Sequence, residues 1–182
     1  QIKTIRTIAL ASSMLTLVVS LFLWIWFDKS TAKFQFVNEL LWIPSSNINF
    51  VLGIDGISLF FVLLTTLILP LCILASWGSI QVHVKEYMIA FLVMESMLIA
   101  VFCVLDLLLF YVFFESVLIP MFIIIGLWGS RERKVRAAYM FFMYTLLGSV
   151  LMLLGIIFIY FQVGTTDITI LMTAQFEPFH QK

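Results

Sequence analysis

Residues Leu107 to Trp128 read LLLFYVFFESVLIPMFIIIGLW. As a helix, this stretch would rise about 33 Å, enough to cross the hydrocarbon core of a bilayer. Its one carboxylate, Glu115, sits near the middle, with no Lys, Arg or His in the run. An acid at mid-span costs about 3 kcal/mol on insertion scales, so such a residue is kept for function or faces a protein interior or water. Pro120 follows five residues later. Proline has no N–H, so the carbonyl of Ser116 loses its helical partner. Irregular backbone beside a buried acid is a common feature of ion pathways. A purely structural alternative is a buried carboxyl hydrogen-bonded for packing alone.

The composition sets this stretch in a membrane protein. The chain has 182 residues, of which 63% are hydrophobic and 11% charged. Soluble domains carry about 25% charged residues. Net charge is zero, which gives nucleic acid no electrostatic footprint. Cys72 and Cys103 both fall in apolar runs without Cys/His spacing, and are read as packing residues rather than metal ligands or a disulfide. The first apolar run is too long for a secretory signal and has no small-residue cleavage site after it.

Four further spans are expected around the Glu115 helix. Residues 7–27 form the first, entered from Lys3 and Arg6 and closed by the interfacial Trp24 and Trp26. The polar connection to Gly56 holds two runs, KFQFVNELLWI and NINFVLGI, about Pro44-Ser45-Ser46-Asn47, and suggests a short hairpin. Asp55 is placed to cap the next span, 57–77, in which Ser58, Thr65 and Thr66 make a polar stripe and Pro70 is a candidate bend. The third span, 86–105, carries a second intramembrane acid, Glu95. Glu86 to Trp128 is too long for one span, so Asp106 marks a tight hairpin and caps the helix that follows. After the basic loop 131–136 comes the fifth span, 139–161, with Thr145, Gly148, Met152 and Gly155 on one face. Small residues let helices approach closely, so Gly148 and Gly155 are expected to face another helix. Thr166 or Asp167 is placed to cap a short helix through Met172.

Basic residues orient the bundle. Lys3, Arg6, Lys85, Arg131, Arg133, Lys134 and Arg136 fall on one side, and Lys29, Lys33 and Lys182 on the other. The richer side is expected to be the cytoplasm or matrix. No expected span contains Lys, Arg or His, so Glu95 and Glu115 lack a basic partner at membrane depth. Such acids either accept charge transiently, as a proton relay does, or receive a basic group from another chain.

The run CVLDLLLFYVFFESVLIPMFIIIGLWGSRERKVRAAYMFFMYTLLGS, together with FVLGIDGISLFFVLLTT, resembles the subunit 4 family of mitochondrial NADH:ubiquinone oxidoreductase, respiratory complex I. The likeness covers nearly the whole chain and is strongest to the plant or protist form. The family is similar to subunits of multisubunit cation/proton antiporters.

The resemblance implies an all-α membrane protein: five transmembrane helices of an antiporter-like bundle, incomplete without a further chain. It implies proton translocation in the membrane arm at the mitochondrial inner membrane. Glu115 matches the family glutamate that takes part in proton transfer and pairs with a lysine on a later, broken helix. That helix, the central lysine and histidine residues and the second repeat lie beyond this sequence, as does the family's first helix. A second chain carrying the remaining helices is therefore an expected partner, with other membrane-arm subunits and lipids. Glu95 is a candidate relay. No nucleotide, flavin or iron–sulfur motif occurs, so NADH, FMN, iron–sulfur clusters and ubiquinone are expected on other subunits. Two alternatives stay open: a scaffold without its own proton path, and a subunit of a cation/proton antiporter.

Overall fold

The computed structural model describes residues 2–43, 48–130 and 132–174. Among them are five helices long and apolar enough to cross a membrane: α1 (Ile2–Trp26), α2 (Gly56–Ala75), α3 (Val84–Cys103), α4 (Leu107–Trp128) and α5 (Lys134–Val163). Strands β1 (Gln35–Ile43) and β2 (Ile48–Ile54) pair antiparallel between α1 and α2. A short α6 (Ile168–Leu171) follows α5. The turn-like 44–47, Arg131 and Lys182 lie outside the described residues.

Helix ends follow the local chemistry. Asp55 Oδ1 accepts the Ser58 N–H at 2.8 Å, and Asp106 Oδ1 accepts those of Leu108 and Leu109 at 2.9 and 3.0 Å. Asp167 Oδ1 accepts the Thr169 N–H at 2.7 Å and opens α6. These are orphan helix-start donors, satisfied by capping carboxylates. α1 and α5 begin about five residues before the apolar runs do, because backbone hydrogen bonding continues through the basic flanks. Helices α2 and α4 run uninterrupted through Pro70 and Pro120.

Helices α1, α2 and α3 pack against one another, α4 packs on α3, and α5 packs on α4. The core joins Ala9, Ile73, Val84, Tyr87 and Met88, with Ile124 and Trp128 of α4 against it. At one end, Arg6 donates to the Ile80 carbonyl at 2.7 Å and Trp128 Nε1 to the Val82 carbonyl at 2.8 Å. The start of α1, the α2–α3 turn and the end of α4 therefore meet there, beside Lys85 and Lys134.

The opposite end holds the hairpin and a three-residue joint, Val104 to Asp106, between α3 and α4. Leu105 N–H donates to the Val51 carbonyl at 2.8 Å, and Ile168 N–H to the Leu105 carbonyl at 2.8 Å. Thr166 Oγ1 donates to Asp106 Oδ2. The joint is thus stitched to the hairpin on one side and to the tail on the other.

One expectation fails within this chain. Gly148 and Gly155 are exposed, and a Cβ built on either meets nothing within 4 Å. α5 instead buries Ala138, Ser149 and Ile156. The row next to the glycines makes the contact, since α4 already supplies the small residue Gly126 opposite Ala138.

Candidate proton-transfer site

Contacts between α4 and α5 form a ladder that locates Glu115. Near the basic end, a Cβ on Gly126 would lie 3.7 Å from the Ala138 Cβ. Next, Phe122 meets Tyr139 and Phe142 edge-on, with ring centroids 5.8 and 5.6 Å away. Near the far end, Leu108 lines a small cleft with Ile156 and Tyr160. α4 numbers fall as α5 numbers rise, as antiparallel helices require. Glu115 lies seven residues before Phe122, and Ser149 seven after Phe142. Seven residues are about two turns on the same face. Glu115 and Ser149 therefore stand at the same level on the facing sides of α4 and α5.

Glu115 is half-buried, and its Oε1 is shielded from solvent without a hydrogen-bond partner. Ser149 is buried, and its hydroxyl donates to the Leu146 carbonyl at 3.0 Å, leaving its oxygen free to accept. One turn along from Glu115, Ile119 is 59% exposed. The flank of the Glu115 row is therefore open to a neighbour. An unsatisfied carboxylate oxygen away from water costs several kcal/mol unless protonated, hydrated or paired.

Glu95 occupies a different environment. It is 3% exposed, and its Oε1 also lacks a partner. It lies on the face of α3 that carries Val84, Met88 and Phe91 toward α1 and α2. Glu95 thus stands on the α3 face that joins the core, and Glu115 on the α4 row that meets α5. The described residues hold no group of three His, Cys, Asp or Glu suited to a metal.

The sequence alone did not single out Ser149 or Ser20. Ser149 would have emerged from pairing seven-residue steps on the two helices, which needs the Phe122–Phe142 contact as an anchor. Ser20 carries no such signal in an apolar helix.

Comparison with known proteins places the chain. Residues 2–105 match the model of NADH-ubiquinone oxidoreductase chain 4, amino terminus, and residues 104–181 match NADH:quinone oxidoreductase/Mrp antiporter, TM. The chain belongs to the NADH-ubiquinone oxidoreductase chain 4 family. Chain 4 of Arabidopsis thaliana is 64% identical over 181 residues, and that of Marchantia polymorpha 62%. Each alignment covers 100% of this chain and 37% of the relative, so the chain spans just over a third of their length. A chain of respiratory complex I from Thermus thermophilus with bound NADH superposes with a TM-score of 0.81 at 26% identity, over 94% of this chain and 35% of that one. The Mrp complex from Dietzia sp. gives 0.77 at 16% identity, over 90% of this chain and 18% of that one, a likeness of fold. The chain 4 family thus accounts for both halves, and Glu115 lies in the half shared with the antiporter model.

Proposed function

We propose that this chain is the N-terminal part of the antiporter-like, proton-translocating chain 4 of NADH:ubiquinone oxidoreductase, in the membrane arm at the mitochondrial inner membrane. The carrying observation is the shielded, unpartnered Oε1 of Glu115 at the α4–α5 face. A carboxyl in that position takes up or releases a proton when a charge arrives beside it. The open flank at Ile119 leaves room for a basic residue from the remaining length of the family protein or from a second chain. The exposed face with Gly148 and Gly155 suits the same neighbour. Other membrane-arm subunits and lipids complete the surroundings. NADH, FMN, iron–sulfur clusters and ubiquinone belong to other subunits on this reading, and this chain couples their chemistry to proton movement. Glu95 serves as a second relay carboxyl.

The test is Glu115→Gln in the assembled complex, which keeps shape and hydrogen bonding but removes titration. Proton pumping in vesicles carrying equal amounts of complex should fall about a hundredfold, the low end for a positioned proton-transfer group. Glu115→Asp, one methylene short, should retain part of the rate. Unchanged pumping in the Gln variant would leave a scaffold.

A further inference from the structure

Two ring and core contacts fix the depth of Glu95. Met88 of α3 and Ile73 of α2 share one packed cluster with Ala9 of α1. Beyond it, Phe102 of α3 stacks on Phe61 of α2, centroids 5.1 Å apart and planes 15° from parallel. Glu95 lies seven residues past Met88 and seven before Phe102, on one face of α3. On antiparallel α2, Thr66 lies seven residues before Ile73. Glu95 and Thr66 therefore stand at one level, between an aliphatic floor and an aromatic lid. Thr66 is fully buried, and its hydroxyl lies 2.8 Å from that of the buried Ser20 of α1.

The hydroxyl pair has acceptor capacity to spare. Ser20 Oγ lies 2.7 Å from the Leu17 carbonyl, Thr66 Oγ1 3.1 Å from the Leu63 carbonyl, and the two oxygens 2.8 Å from each other. Two hydroxyls supply two hydrogens, so one of the three contacts is unbonded at any moment, and each oxygen keeps a lone pair open to an outside donor. A carboxylic acid O–H, or a water held by a carboxylate, can donate to such a lone pair. The orphan Oε1 of Glu95, at the same level, needs a donor of the same kind.

We propose that Glu95, Ser20 and Thr66 form an internal hydrated site that holds one exchangeable proton, enclosed by α1, α2 and α3 and separate from Glu115. The proton passes between the Glu95 carboxyl and a water hydrogen-bonded to the Ser20–Thr66 pair; no other bond changes. The neighbouring elements bring no competing base. On α1, Arg6 is at the basic end, bonded to Ile80, with Lys3 beyond it. The only titratable side chain on α2 is Cys72. On α4, Glu115 faces α5, Asp106 is bonded to Thr166 at the far end, and Tyr111 is the remaining titratable group.

The inference rests on the proton-translocating reading only for its place in transport, and infrared difference spectra of the assembled complex test it directly. Expected is a carboxylic acid carbonyl band that is lost in Glu95→Gln, shifts in deuterium oxide, and moves in frequency in both Thr66→Val and Ser20→Ala. It should persist in Glu115→Gln. Absence of any band lost in Glu95→Gln overturns the proposal, as does a band unmoved by both hydroxyl variants or unchanged in deuterium oxide. A band abolished by sodium chloride at constant pH overturns it in favour of a cation site. Unchanged pumping in Glu115→Gln strikes the function proposed above and leaves these spectra standing.

Discussion

Glu95 and Glu115 are the same side chain in two kinds of surroundings. Glu95 is enclosed by three helices of its own chain, with buried hydroxyls at its level. Glu115 stands at the α4–α5 edge, beside one buried serine and an open flank. The helices that carry them differ in the same direction: 28% of the apolar stretch of α3 is buried, against 17% for α4. A carboxyl inside a membrane needs donors, and a bundle supplies them either from within or across an interface. Glu95 is enclosed by this chain alone with its Oε1 unpartnered, and Glu115 points outward.

The sharpest challenge to that contrast is truncation on each side. Ile73→Ala, in the enclosed half, should cost about 3 kcal/mol, read as earlier heat-induced release of the subunit from purified complex. The matching truncation on α5, Leu154→Ala, should be comparable where another chain covers that face, and within about 0.5 kcal/mol where only lipid does. Asp106→Ala tests the joint between the halves. Losing two cap bonds and the tie to Thr166 should cost about 2 kcal/mol, measured the same way.

A gentler probe adds bulk. Gly148→Leu leaves contacts within this chain intact, since nothing lies near its Cβ. Against a close-packed neighbour it should cost about 1–2 kcal/mol and lower the yield of assembled complex on native gels. The smallest effect belongs to Thr66→Val, about 1 kcal/mol in thermal release, because Ser20 keeps its bond to the Leu17 carbonyl.

The five spans and their caps were legible because apolar length and a carboxylate before a helix act locally. Asp55 and Asp106 cap where the sequence placed them, and of the two candidates Thr166 and Asp167 it is Asp167 that caps α6. The acids were visible for the same reason: a charge inside an apolar run stands out. What the sequence could not give was facing direction. Apolar side chains surround each helix, so periodicity carries little information about which face meets protein and which meets lipid. That is why the glycine row of α5 was assigned to a contact made by its neighbours Ala138, Ser149 and Ile156. The Ser20–Thr66 pair was hidden likewise, since its meaning lies in a contact between residues 46 positions apart.

The stitched joint at Asp106 sets an order of events during synthesis. Its carboxylate can cap α4 as soon as that helix forms, but its second oxygen waits for Thr166, 60 residues later. The Leu105 carbonyl likewise waits for the Ile168 N–H. A ribosome adds about 5–20 residues each second, so α3 and α4 spend some seconds in the bilayer before their shared end can close. Over that interval the shared end holds only its cap bonds and the tie to Val51, and emergence of the tail adds the other two bonds.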